Sequence, residues 1–211
     1  MATDGCLISD GRHLNLTSKD TEQLLLFKKI LKLKVKISYK SRGGEPRKMY
    51  GQLQFGDVEL YRWFISIGIT PRKSKTIGAI NVPDRFFFDH LRGEFDGDGS
   101  SCAYWDTRWR SSVSLYMNFC SASRPHLEWI QKKVLFLLEI VGCIKKARSI
   151  YVLQYSKTKA RPLFNALYDN QTDLFLKRKK DKMDRQWTAL SNAKNGIIPT
   201  FSDKNHAIKI S

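Results

Sequence analysis

Polar and apolar residues alternate in short runs along this chain, and each run gives way to helical spacing. Positions 12–18 read Arg-His-Leu-Asn-Leu-Thr-Ser, and 112–121 carry the same alternation through Val113, Leu115, Met117 and Phe119. Alternation over that length predicts strands with one buried face. Each strand runs into an amphipathic stretch. The first, Thr21–Leu33, carries Leu24, Leu25, Phe27, Ile30 and Leu31; the second, Pro125–Val141, carries Leu127, Ile130, Val134, Leu135, Leu138 and Ile140. That spacing predicts helices with one apolar face. Downstream, Leu53-Gln54-Phe55-Gly56-Asp57 and Leu153-Gln154-Tyr155-Ser156-Lys157 each open another helix, with Phe64 and Phe164 at matching offsets.

These matches amount to an internal repeat. Asp4-Gly5 near the start pairs with Asp98-Gly99 in the middle; Leu53 follows Asp4 by 49 residues and Leu153 follows Asp98 by 55. Two copies of about 100 residues, ordered α-β-β-α-β-β-α, divide the chain. The first copy is expected over 1–70. A linker rich in Thr, Pro, Arg, Lys and Gly covers 71–83 within Gly68–Pro83. The second copy takes 84–180, and a basic helix and tail take 181–211. Only the start is out of step. A helix over Asp84–Phe95 precedes the second acidic segment, whereas the first copy opens on Met1-Ala2-Thr3-Asp4-Gly5, inside it. The first helix of the first repeat is therefore expected to be missing, with Met1 placed downstream of the true start.

The acidic segment carries the chemistry. Leu91-Arg92-Gly93-Glu94-Phe95-Asp96-Gly97-Asp98-Gly99-Ser100 runs an apolar helical stretch into two carboxylates, each followed by glycine. Carboxylates at the carbonyl end of a helix are unfavourable unless a cation is held there. A calcium loop counted from Asp96 fails at Ser100, Ser101 and Thr107. A phosphatase Asp-x-Asp would follow a strand, whereas Phe87, Phe88, Leu91 and Phe95 have helical spacing.

This segment, set in a two-copy chain, resembles the signature of the LAGLIDADG homing endonucleases in their single-chain, two-repeat form. The resemblance implies an α+β fold of two pseudo-twofold-related αββαββα repeats forming a DNA-binding saddle. It implies that the last acidic residue of each motif, here Asp98 and Asp4, coordinates Mg²⁺ (or Mn²⁺) beside a scissile phosphate, with Gly97 as a further ligand. Asp96 ranks below Asp98, and in the first copy Ala2 stands in its place. A basic residue after the last helix of each half is implied as well; Lys73 in Ile69-Thr70-Pro71-Arg72-Lys73 and Lys179 in Phe175-Leu176-Lys177-Arg178-Lys179 match. Where many relatives carry Gln at the end of the second strand, this chain has Ser18 and Ser121. The activity implied is metal-dependent, site-specific cleavage of duplex DNA. The alternative is a binder of the same fold that does not cut, either an intron maturase holding intron RNA or a DNA-binding regulator.

Composition narrows the partner. Lys and Arg number 37 against 20 Asp and Glu, a formal charge of +17, which points to a polyanion. No apolar run approaches the ~18 residues of a membrane span, and no signal peptide is seen. Cys6, Cys102, Cys120 and Cys143 lie far apart, which argues against structural zinc and against a disulfide framework. A reducing, cytoplasmic or organellar setting is expected rather than secretion, and a monomer rather than an oligomer.

One alternating lysine reads as a solvated face, but recurrence in both copies predicts sheets that read DNA through Lys34, Lys36, Lys40, Gln52 and Gln54, then Arg108, Arg110, Lys145, Lys146, Arg148 and Gln154. Strands of five to eight residues span roughly 17–27 Å. Two sheets side by side then cover on the order of 10–16 base pairs, so a long, asymmetric site is expected.

Overall fold

A computed structural model describes residues 1–42, 45–105, 113–169 and 173–194. The first half runs β1 (Gly5–Leu7), β2 (His13–Ser18), α1 (Thr21–Ile30), β3 (Ser38–Arg42), β4 (Glu45–Gly56) and α2 (Val58–Ser66). The second runs α3 (Phe87–Gly97), β5 (Ser100–Trp105), β6 (Val113–Ser121), α4 (Arg124–Leu138), β7 (Cys143–Ala147), β8 (Ile150–Ser156), α5 (Lys157–Tyr168) and α6 (Lys177–Lys194). Each half forms a four-stranded antiparallel sheet. The strand orders, β1-β2-β4-β3 and β5-β6-β8-β7, are the same. The class is the α+β class read from the repeat.

Local chemistry explains where the helices stop. Lys32 and Glu139, just past the ends of α1 and α4, have φ of 51° and 57°. A left-handed residue ends a helix, so α1 and α4 fall short of the expected Leu33 and Val141. The start of α2 is fixed by Asp57, whose carboxylate accepts from the Leu60 N–H at 2.9 Å. Residues 33–37, expected as the start of a strand with Lys34 and Lys36, instead form an extended lead-in to β3. Their alternation is retained: Val35 and Ile37 turn toward the core while Lys34 and Lys36 stay exposed.

The helices cover one face of each sheet. In the second half Phe87, Leu91 and Phe95 of α3 meet Leu115, Met117 and Phe119 of β6 and Leu163, Phe164 and Leu167 of α5. The first half has a smaller core around Leu7, Leu14, Phe55, Tyr61 and Phe64. Trp129 of α4 packs against both cores and joins them.

Two segments differ from expectation. The stretch expected as a linker is packed: Ile69, Ile77 and Ile80 are buried in the first core, and Lys73–Lys75 make one 3-10 turn. The basic run near the end continues across residue 180 as the single helix α6, whose Met183, Trp187, Leu190 and Ala193 join the second core. Its charged residues hide that face in the sequence. Among the described residues no helix is long and apolar enough to cross a membrane.

Candidate functional site

Asp98 caps the carbonyl end of α3, where the helix dipole opposes a carboxylate. The two halves touch beside it. A Cβ on Gly97 would lie 2.1 Å from Thr3 Oγ1 and 3.1 Å from Asp4 Oδ2. Glycine at 97 is thus what lets the Thr3-Asp4 segment lie against the end of α3. Partial desolvation at the helix end pushes the Asp98 carboxyl up, the negative charge of Asp4 adds to this, and Lys179 and Lys73 oppose it. Asp4 is held from its own half by Gln23 of α1, whose Nε2 donates to Asp4 Oδ2 at 3.0 Å.

The two lysines expected beside the acids are there, in matching roles. Lys73 Nζ donates to the carbonyls of Gly5 at 2.5 Å and Thr3 at 3.4 Å. Lys179 Nζ donates to the carbonyls of Phe95 at 2.6 Å, Gly97 at 2.9 Å and Gly99 at 2.7 Å. Each ammonium therefore grips the backbone on both sides of its acidic residue. Burial lowers the Lys73 pKa, against the pull of Asp98, Asp4 and Glu94. Burial also lowers Lys179, to about 8, with the charge of Arg178 adding to it.

None of the described ion pairs engages Asp4 or Asp98. No group of three or more His, Cys, Asp or Glu side chains among the described residues is placed to hold a metal. The site offers two adjacent carboxylates and backbone carbonyls. Mg²⁺ suits such a set, because it is commonly held by one or two carboxylates and completes its shell with water and substrate phosphate. The Gly97 carbonyl expected among the ligands accepts from Lys179.

Three neighbouring residues have structural work. Asp96 is buried and accepts from the Leu176 N–H at 2.8 Å and the Tyr168 hydroxyl at 3.0 Å, which fixes the chain entering α6. The Ser18 and Ser121 hydroxyls accept from the N–H of Asp20 and Ser123, shaping the turns into α1 and α4.

A cleft of about 300 Å³ opens beside Asp98, lined by Thr3, Lys73, Ser74, Glu94, Ser121 and His126 among others. Its wall holds a buried charge cluster missed in the sequence. His126 Nε2 lies 3.0 Å from both Glu94 oxygens, and Nδ1 lies 2.7 Å from the Gly78 carbonyl. Both ring nitrogens face acceptors, so both carry protons. Burial works against that imidazolium, but Glu94 and the Gly78 carbonyl outweigh it and raise the His126 pKa. Burial alone would raise Glu94; the hydrogen-bonded His126 and the close His90 ring bring it down to about 2. His90 Nε2 is 2.7 Å from Glu94 Oε1, within ion-pair reach though not aligned as a hydrogen bond. Glu94 falls three residues after Leu91, on the buried side of α3, and an acid there was the available signal.

The faces turned away from the helices carry the expected readers in part. Leu14 and Leu16 are buried, so Asn15 and Thr17 face outward, opposite Gln54 and Gln52. Ser38 and Lys40 share that face through their pairing with Gln52 and Tyr50. In the second sheet Asn118 lies opposite Gln154, and Lys145 pairs with Val152 on the same face. Lys146, next along β7, turns to the other face, and Arg148 occupies the β7–β8 turn with φ of 50°. The structure thus keeps Lys145 and Gln154 together and separates Lys146 and Arg148 from them. Arg108 and Arg110 lie outside the described residues. Asn15 and Asn118 were missed, although both occupy polar positions of alternating strands.

No known family model matches this sequence, and no curated protein does. Solved structures do. The LAGLIDADG meganuclease I-AabMI bound to uncleaved DNA is 14% identical, with a TM-score of 0.60 over 92% of this chain and 89% of that one. The LAGLIDADG homing endonuclease I-GzeII in complex with its DNA target is 13% identical, with a TM-score of 0.59 over 92% and 88%. The N-terminal LAGLIDADG domain of DUF199/WhiA is 16% identical, with a TM-score of 0.53 over 88% and 81%. At these identities the likeness is one of fold, and the fold of this chain is the LAGLIDADG fold.

Proposed function

We propose that this chain is a site-specific endonuclease that hydrolyses phosphodiester bonds in a long, asymmetric duplex DNA site with Mg²⁺ or Mn²⁺. One observation carries the reading: Asp98 and Asp4 converge where the halves touch, each flanked by a lysine gripping the backbone around it. The net charge of +17 and the polar outer faces of both sheets suit a duplex. Solved relatives in fold include proteins bound to DNA.

Asp98 and Asp4 would each hold a divalent cation beside the strand it faces. Bound there, the cation supplies Lewis-acid polarisation of the phosphate and a lowered pKa for attacking water. Lys179 and Lys73 keep the carbonyls around each acid in place and carry positive charge toward the phosphate. Their desolvation brings Lys179 close to neutral pH, where a group can exchange a proton during the reaction. Asp96 and Gln23 hold the acids' surroundings.

A second reading, binding without cutting, is favoured by Ser18 and Ser121. Both stand where many relatives carry Gln, and each hydroxyl accepts from a turn N–H. The deciding experiment is cleavage of a randomised duplex pool with and without Mg²⁺, comparing wild type with Asp98→Ala. Double-strand breaks at one shared sequence that disappear in the variant support the endonuclease. Selective retention of one sequence with no breaks supports the binder and removes the endonuclease.

A further inference from the structure

The outer face of the second sheet carries a row of side chains joined across three strands. Lys145 Nζ donates to Gln154 Oε1 at 2.9 Å, and Gln154 Nε2 donates to Asn118 Oδ1 at 3.0 Å. Asn118 Nδ2 then faces Cys102 Sγ at 4.0 Å. Amide orientation in such a row is decided by hydrogen bonding, and here one end decides it all. An ammonium can only donate, so the Gln154 atom beside Lys145 must be its oxygen. The Gln154 nitrogen must then face Asn118, whose own oxygen must receive it. Both carbonyls are engaged inside the row. What it presents outward is N–H, from the exposed Lys145 and the half-buried Gln154, while the buried Asn118 fixes the row from below.

The matching row of the first sheet has no such lock. Ser38 occupies the position of Lys145, and its hydroxyl donates to the Gln52 backbone carbonyl at 3.3 Å. Gln52 Nε2 donates to Gln54 Oε1 at 3.3 Å, and Thr17 Oγ1 to Asn15 Oδ1 at 3.1 Å. None of these described hydrogen bonds ties the amides to a fixed charge, so they can turn over together.

From this we infer that the Lys145–Gln154–Asn118 row selects guanine in the half-site beneath the second sheet. In the major groove guanine presents two acceptors, N7 and O6, whereas adenine pairs an acceptor with a donor and cytosine presents a donor. A free Asn or Gln reads adenine with its oxygen and nitrogen together; here the Gln154 oxygen is turned aside to Lys145, and two donors stand side by side. Thymine offers one acceptor beside a methyl group, a poorer match to adjacent donors. Asn118 lies opposite Ser100, two residues from Asp98. At ~3.4 Å per residue and per base pair, the guanine falls about two steps from the acidic pair. The inference rests on the chain reading duplex DNA through its sheets.

The test is selection of bound duplexes from a randomised pool without divalent metal, for wild type, Gln154→Glu and Lys145→Met. Wild type should enrich one guanine close to the centre of one half-site, by roughly 10-fold or more over the other bases. Glutamate at 154 puts an acceptor where the outward N–H stood, so the selected base should change from guanine to cytosine. Removing the Lys145 ammonium frees the amides to turn, so adenine should be selected about as often as guanine. An unchanged preference in the other half-site shows that each variant is folded. A selected site whose guanine is missing, or persists in Gln154→Glu, overturns the inference and leaves DNA recognition standing. If wild type selects no sequence, DNA reading fails and the inference fails with it.

Discussion

The two halves of this molecule share strand order, an Asn–Gln cross-strand pair and a lysine that grips the backbone around an acidic residue. They differ in what holds the acid itself. Asp98 ends an eleven-residue helix packed into a large core, with Asp96 two residues earlier tied to Leu176 and Tyr168. Asp4 precedes a three-residue strand in a smaller core and takes its hydrogen bond from Gln23. A common scaffold therefore presents two carboxylates with different surroundings, and an enzyme built this way should treat the two DNA strands unequally.

The largest effect expected follows from that inequality. Asp98→Ala should lower cleavage of one strand by more than the roughly 10–100-fold that loss of a ligand-orienting partner costs, and Asp4→Ala should do so for the other strand. Affinity should stay within a few-fold, because phosphate contacts elsewhere supply most of it. Strand-specific end labels on a supercoiled or linear target read this directly. If either variant slows both strands equally, the halves share one metal centre, and the correspondence between them breaks down at its most important point.

How much of this was legible in the sequence differs along the same line. Features that recur in the same order in both copies were legible: the strands, the amphipathic helices and Asp4 with Asp98; Lys73 and Lys179 came from the family resemblance. Features that depend on the second half alone, or on contact between halves, were not. Ile69, Ile77 and Ile80 sit among linker-like residues, and only the folded chain shows them buried. Glu94 and His126 are 32 residues apart and meet only because the fold brings the start of α4 to α3. Lys145 and Lys146 are adjacent and equally basic, and strand register alone separates their faces. Patterns of period and charge carry local structure; they carry no register and no pairing between distant side chains.

A smaller effect tests the contact between the halves. Gly97 and Gly93 are one helical turn apart on α3, yet a Cβ at 97 meets Thr3 at 2.1 Å while a Cβ at 93 meets nothing within 4 Å. Gly97→Ala must move Thr3 and should destabilise by about 1–3 kcal/mol, in the range of overpacking. Gly93→Ala gains helix propensity and should stabilise by about 0.5–1 kcal/mol. Denaturant midpoints for the two variants should move in opposite directions. Equal shifts would mean that the halves do not meet at Gly97 in solution.

The smallest effect is expected in the pH dependence of stability, and it probes the strap that ties the 77–78 segment of the first half to the second. Ser123 Oγ donates to the Ile77 carbonyl at 2.5 Å, and His126 spans from Gly78 to Glu94. The His126 pKa is raised in the folded protein. Its contribution is therefore complete below the unfolded value of about 6.5 and is lost as pH rises through the higher folded value. Glu94 is lowered from 4.5 to about 2, so its contribution is complete above 4.5 and fades as pH falls toward 2. Wild type should hold its highest melting temperature between about 4.5 and 6.5 and lose a few degrees on the alkaline side. His126→Gln keeps a donor toward Glu94 but cannot ionise, so its alkaline decline should vanish while the acid limb persists. An alkaline decline of the same size in wild type and His126→Gln would show that another group sets it and that this strap does not hold the halves together.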